Sequence, residues 1–83
     1  MLKVSVISPE AVLFEGDADL VVAPAYDGEV GILTGHAPLM ALLGDGELRL
    51  GGGAGRRFKV SGGFLQVLDN HVRVVTEKAT ASA

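Results

Sequence analysis

Residues 57–76 read RFKVSGGFLQVLDNHVRVVT, and this stretch decides the fold class. At its start Phe58 and Val60 alternate with charged or polar side chains, which is typical of a strand with one buried face. Two further apolar segments flank Asp69-Asn70, a pair whose side chains tolerate the positive φ of a two-residue hairpin turn. The stretch therefore predicts short strands joined by tight turns.

Similar short segments fill the rest of the chain, with turn residues about every 8 to 10 positions. Residues 3–7 and 47–50 alternate, whereas residues 39–43 are continuously apolar, as expected for a strand covered on both faces. Because a single sheet would leave one apolar face in water, the segments predict an all-β fold without helices, a small two-sheet β-sandwich or flattened barrel. The side chains expected to point into its core are Val4, Val6, Phe14, Leu20, Val22, Ile32, Leu42, Leu48, Leu50, Phe58, Val60, Leu65, Val67, Val72 and Val74.

Composition narrows the possible functions. The 83 residues suffice for one domain, predicted over residues 1–77, and the small side chains of residues 78–83 predict a short frayed tail. With no cysteine, the chain has no disulfide and no thiolate nucleophile. A net charge of −3 argues against nucleic-acid binding, and no apolar run is long enough to cross a bilayer.

No group of residues in the sequence predicts catalysis, a cofactor or a metal site. The two histidines, His36 and His71, have no ligand at the spacing of a metal site and no nucleophile with its base. The acidic side chains between residues 17 and 29 are expected to be solvated at strand ends. The glycine run at residues 51–55 lacks the Lys-Ser/Thr of a phosphate-binding loop, so it is expected to be a flexible connector between strands.

Residues 26–39, YDGEVGILTGHAPL, are unusual for a connecting segment and suggest a contact surface. From Gly28 to Leu39 they resemble the Gly-Glu-x-Gly-Ile/Val-Leu-Pro-Gly-His-Ala-Pro-Leu motif of the ε subunit family of F-type ATP synthase, with Thr34 in place of the usual proline. The resemblance extends over roughly residues 3–77, since four further segments match the family in order. They are Ile7-Ser8-Pro9-Glu10, Phe14-Glu15-Gly16, Gly46-Glu47-Leu48-Arg49-Leu50 and Val60-Ser61-Gly62-Gly63-Phe64.

This resemblance implies a ten-stranded β-sandwich that serves as a non-catalytic rotor subunit at the foot of the central stalk. Such a subunit binds the γ subunit and the c-ring and couples proton translocation to ATP synthesis. It would lie peripherally on the cytoplasmic face of the bacterial plasma membrane, without inserting into it. By position in the family motif, the residues facing γ are Ser8, His36 and Ala41, and those facing the c-ring are Glu29, Val30 and Gly31.

The family pattern continues into a C-terminal two-helix hairpin that carries inhibitory and, in some members, ATP-binding residues. The sequence ends at Ala83, so neither role is carried over, and we expect no specific ATP binding.

Two alternative functions fit a small acidic β-domain: a lipoyl- or biotinyl-like carrier and a generic β-sandwich adaptor. A carrier displays its modified lysine at a hairpin tip. Here Lys59 lies in the middle of a predicted strand, and Lys3 and Lys78 lie at the ends of the domain, which argues against the carrier.

Overall fold

Ten strands form two five-stranded sheets in the part of the chain that the computed structural model describes, residues 1–51 and 55–82. The predicted all-β, two-sheet fold is confirmed, and the described residues contain no helix. The strands are β1 (Leu2–Ile7), β2 (Val12–Ala18), β3 (Leu20–Ala25), β4 (Gly28–Leu33), β5 (Leu39–Leu42), β6 (Gly46–Leu50), β7 (Arg57–Ser61), β8 (Phe64–Leu68), β9 (His71–Val75) and β10 (Lys78–Ser82).

The first sheet has the strand order β2-β1-β9-β8-β5, and the second has the order β10-β7-β6-β3-β4. Neighbouring strands are antiparallel except β1 and β9, which run parallel with Lys3 opposite His71 and Ile7 opposite Val75. The turn between β8 and β9 is the predicted two-residue hairpin, since Asp69 and Asn70 have φ of 49° and 62°. Strands β5 and β4 each form one edge of their sheet.

The chain passes from the first sheet to the second directly after β5. The amide of Leu43 donates to the carbonyl of Gly63 at the start of β8, at 3.0 Å. One residue later, the amide of Gly44 donates to the carbonyl of Pro24 in β3, at 2.8 Å. The two sheets are therefore hydrogen-bonded to the same short segment, which brings the β5 edge next to the β3–β4 hairpin.

The core lies between the sheets and contains most of the predicted side chains. Those confirmed as buried are Val4, Val6, Ile32, Leu48, Leu50, Phe58, Val60, Leu65, Val67, Val72 and Val74. Phe14 is half-buried and packs against this core, with its ring centroid 6.3 Å from that of Phe58.

The predicted inner face of β3 is wrong. Leu20 and Val22 are only half-buried, and Val21 is fully buried instead. Residues 20–22 are apolar on both faces, so their alternation does not select a side of the sheet. The register selects it, because Val21 lies opposite the buried Ile32 of β4.

The prediction for β5 is wrong in the same way. Leu42 is 66% exposed and Leu43 is 5% exposed, although Leu42 was expected in the core. Leu42 lies opposite the exposed Phe64 on the outer face of the first sheet, which no other element in the described part of the chain covers.

The predicted frayed tail is replaced by an edge strand. Residues 78–82 form β10, which pairs antiparallel with β7 from Lys78 opposite Ser61 to Ser82 opposite Arg57. The buried Thr76 supports the crossing into it, since its Oγ1 donates to the carbonyl of Lys78 at 2.8 Å. Ala83 and residues 52–54 of the glycine run lie outside the described residues, and so does that part of the connector prediction.

Candidate binding surface

Four large apolar side chains are exposed along one edge of the first sheet. Met40 and Leu42 of β5 are 65% and 66% exposed, and Phe64 and Leu68 of β8 are 36% and 50% exposed. Leu42 lies directly opposite Phe64, so the side chains share the outer face of the sheet. We refer to these four residues as the apolar band. Large apolar side chains exposed together on one face of a sheet are a candidate interaction site.

Ser8 follows the last residue of β1, two strands away from the apolar band in β8 and β5. The row that contains Leu42 and Phe64 continues in register through Val75 to Ile7, the residue before Ser8. Ser8 begins a tight turn, in which its amide donates to the carbonyl of Ala11 at 2.9 Å.

His36 lies at the opposite end of the first sheet. The amide of Gly35 donates to Oδ1 of Asn70 at 2.7 Å, and Asn70 also accepts from the amide of Lys3 at the start of β1. Since β1 has six residues, Ser8 and His36 are separated by about 20 Å along the sheet. Ser8 and His36 therefore lie at opposite ends of the first sheet and not in one cluster.

Ala41 lies between Met40 and Leu42 in β5 but points the other way. Its cross-strand partner is Leu65, which is fully buried, so the methyl group of Ala41 is on the core side of the sheet. The edge position of β5 leaves Ala41 half-buried.

The residues predicted to face the c-ring lie in β4, at the edge of the second sheet. The carboxylate of Glu29 accepts from the Nη2 of Arg49 in β6 at 3.1 Å, and both side chains are largely exposed. Val30 packs against the core, whereas a Cβ on Gly31 would meet no atom within 4 Å. Of the three residues, only Glu29 therefore presents a charged side chain outward.

The two histidines and Lys59 have the following surroundings. Nδ1 of His36 lies 2.6 Å from the neighbouring carbonyl of Ala37, and His71 is exposed at the start of β9. Within residues 1–51 and 55–82, no three His, Cys, Asp or Glu side chains are grouped as metal ligands. Lys59 is in the middle of β7, opposite Glu47, and not at a hairpin tip as a carrier domain requires.

The sequence did not predict most of the apolar band, nor the hydrogen bonds from Asn70 to Gly35 and from Arg49 to Glu29. The band left a signal, since the continuously apolar residues 39–43 predicted a strand covered on both faces. Only one face of β5 is covered in the described part of the chain. No local sequence pattern predicts the contacts of Asn70 and Arg49, because each joins residues at least 20 positions apart in the chain.

The sequence has recognisable relatives. Residues 1–82 match the family described as ATP synthase, delta/epsilon chain, beta-sandwich domain. The chain is 47% identical over 77 residues to the ATP synthase epsilon chain of Leptospira borgpetersenii serovar Hardjo-bovis, covering 92% of this chain and 61% of that relative. It is 43% identical over 76 residues to the ATP synthase epsilon chain of Syntrophomonas wolfei, covering 89% of this chain and 56% of that relative. The chain thus spans about three fifths of the length of these relatives.

Two solved structures share the fold. A chain in the cryo-EM structure of the Euglena gracilis mitochondrial ATP synthase (OSCP/F1/c-ring, rotational state 1) matches with a TM-score of 0.87 and 23% identity, over 96% of this chain and 52% of that chain. A chain in the central stalk/c-ring structure of the Tetrahymena thermophila mitochondrial ATP synthase matches with a TM-score of 0.80 and 17% identity, over 95% of this chain and 65% of that chain.

Proposed function

Because this chain belongs to the delta/epsilon β-sandwich family of ATP synthase, we propose that it is a non-catalytic rotor subunit in the central stalk of an F-type ATP synthase. In this function it links the γ subunit to the c-ring and couples proton translocation to ATP synthesis. Its contribution is mechanical, since it holds two rotating partners together and carries out no reaction.

The observation that carries the proposal is the uncovered outer face of β5. Met40 and Leu42 are each about two-thirds exposed, in a strand whose sequence is apolar on both faces. Burial of such side chains in an interface removes apolar area from water and contributes about 25 cal/mol for each Å². We assign the outer face of the first sheet to γ, with Ser8 and His36 at opposite ends of that sheet and Ala41 on the core side of its edge strand β5.

The contact with the c-ring is assigned to β4, at the edge of the other sheet. Glu29 supplies a negative charge there, and the open backbone at Gly31 allows close approach of a partner. Val30 fixes this strand by packing against the core. Charged residues at an exposed rim set orientation and specificity more than affinity, which suits a contact that transmits rotation.

This assignment places the chain at the membrane surface, on the cytoplasmic side of a bacterial membrane, through its partners. Residues 1–51 and 55–82 include no helix of the length and apolarity needed to cross a bilayer. Attachment through the c-ring is therefore the route to the membrane that we propose.

Binding to purified γ tests the proposal. The wild-type chain should bind γ in a calorimetric titration and should recover γ and the c subunit from detergent-solubilised membranes. Met40→Glu places a charge in the apolar band and should weaken γ binding at least about tenfold. Thr80→Glu is the matched control, because it adds the same charge at an exposed position of β10 in the other sheet. Failure of the wild-type chain to bind γ or to recover either subunit would overturn the proposal.

A further inference from the structure

We propose that Asn70 is a positioning residue for γ binding: its side chain holds the loop of residues 34–38 in the orientation in which His36 meets γ. This inference rests on the proposed function. It assigns a role to a residue of the β8–β9 turn, which is distant in sequence from the loop that it contacts.

The hydrogen bond itself is short and well placed. Oδ1 of Asn70 accepts from the amide of Gly35 at 2.7 Å, across a sequence separation of 35 residues. Gly35 has φ of +86°, so its amide is presented by a backbone conformation that favours glycine. His36 follows directly, and its own amide donates to the carbonyl of Leu33 at 3.1 Å.

The backbone of Asn70 is held in place on both sides of this contact. Its backbone has φ of 62° in the two-residue turn between β8 and β9. Its carbonyl accepts from the amide of Lys3 at 2.8 Å, which joins the turn to β1. The backbone of Asn70 is therefore held between strands β1, β8 and β9, and its side chain extends from this fixed point to Gly35.

Four of the five residues in the loop of residues 34–38 lie on the surface of the described part of the chain, and His36 is half-buried. Thr34, Gly35, Ala37 and Pro38 are exposed. Among hydrogen bonds formed by the described residues, the one to Asn70 connects the loop with a distant part of the chain. A loop that is fixed before binding loses less conformational entropy in the complex, which favours affinity. Removal of the Asn70 amide group should therefore weaken γ binding without unfolding the domain.

Two substitutions separate this role from the turn itself. Asn70→Gly keeps a residue that adopts positive φ readily but removes the acceptor oxygen. Asn70→Asp keeps both the acceptor and the tolerance of positive φ. The double variant Asp69→Asn/Asn70→Asp also keeps the net charge of the turn, so it serves as the charge-matched control.

The experiment measures amide hydrogen exchange at Gly35 by NMR and γ affinity by calorimetry, with the full chain. In Asn70→Gly, exchange at Gly35 should rise at least about tenfold and γ affinity should fall about three- to tenfold. The double variant should restore both to within about twofold of wild type. The combined variant His36→Ala/Asn70→Gly should lose less γ binding free energy than the sum of the losses in the two single variants, because both substitutions act through one loop.

The possible failures can be told apart. If wild type binds γ and Asn70→Gly binds equally well, the positioning role is overturned while the proposed function stands. If the double variant binds as weakly as Asn70→Gly, the hydrogen bond is not the cause, and the positioning role is again overturned. If wild type does not bind γ, the proposed function itself fails, whatever the exchange at Gly35 shows.

Discussion

Leu42 and Leu43 are adjacent in the chain, yet Leu42 is 66% exposed and Leu43 is 5% exposed. Leu42 ends the edge strand β5 opposite Phe64, on the outer face of the first sheet. Leu43 crosses between the sheets and packs into the core. Two leucines that follow each other in the chain therefore have opposite environments, one on the outer face of the sheet and one in the core.

Substitution of these two leucines should separate binding from stability. Leu42→Gln should change the free energy of unfolding by less than about 0.5 kcal/mol, because the site is on the surface. The same change should weaken γ binding by at least about 1 kcal/mol. Leu43→Ala should lower the free energy of unfolding by about 2–4 kcal/mol through the cavity that it leaves. Urea unfolding measures the stability of each variant, and calorimetric titration measures its affinity for γ. Equal γ affinity for Leu42→Gln and wild type would contradict the assignment of the apolar band to γ.

Ala41→Glu should affect both the fold and γ binding. The half-buried Ala41 faces the core side opposite Leu65, so a carboxylate there is partly desolvated. The free energy of unfolding should fall by about 1–3 kcal/mol, and γ binding should weaken at temperatures where the domain is fully folded. Ala41→Ser is the control of similar size. Normal γ affinity in folded Ala41→Glu would place this residue outside the γ interface.

Glu29→Lys should loosen the contact with the c-ring and leave γ binding intact. The substitution replaces an attractive pair with two neighbouring positive charges, the introduced ammonium group and the guanidinium of Arg49. The exposed wild-type pair contributes at most about 1 kcal/mol to stability, so the domain should stay folded. ATP-driven proton pumping in inverted vesicles should fall, and more so at low salt, because exposed charges are screened at high salt.

The charge-swapped variant Glu29→Arg/Arg49→Glu is the control for this effect. It restores an ion pair between β4 and β6 but reverses the charge at position 29. If it pumps as weakly as Glu29→Lys, the negative charge at position 29 is needed by the partner. Normal pumping by Glu29→Lys at low salt would show that Glu29 is only a solvated residue of an edge strand.

Gly63→Ala should be among the most damaging single substitutions in the chain. Gly63 has φ of +102°, and a Cβ there would overlap the carbonyl oxygen of Val75 and lie 2.7 Å from the Cα of Thr76. The free energy of unfolding should fall by about 2–4 kcal/mol, as measured by urea denaturation. Gly31→Ala is the matched control, since a Cβ at Gly31 meets no atom within 4 Å, and its stability should be unchanged or slightly raised. Similar stability for the two variants would refute the steric argument.

Where one face of a strand is polar, the alternation of apolar and polar residues was sufficient to predict which side chains are buried. Val4 and Val6, or Phe58 and Val60, alternate with charged or polar residues, so only one register buries the apolar side chains. The Asp69-Asn70 turn was also predictable, because few residues other than glycine adopt positive φ readily. The family motif in residues 28–39 was recognisable from the sequence alone, and it identified the family that residues 1–82 match.

Alternation failed where both faces of a strand are apolar. In residues 20–22 and in residues 39–43, a period of two fits either orientation. The tertiary pairing decides between them, by placing Val21 opposite Ile32 and Ala41 opposite the buried Leu65. In β10 only alanines alternate with polar residues, which is a weak apolar signal, and the strand is held by its pairing with β7 and by the packing of Ala79 against the core.

The sequence by itself thus determined the all-β class, most of the core and the family. Only the tertiary structure places Ser8 and His36 at opposite ends of one sheet and brings Asn70 and Arg49 to Gly35 and Glu29. The physical reason is range. Period and turn chemistry act between residues a few positions apart, whereas these contacts join strands that are neighbours only after both sheets have formed.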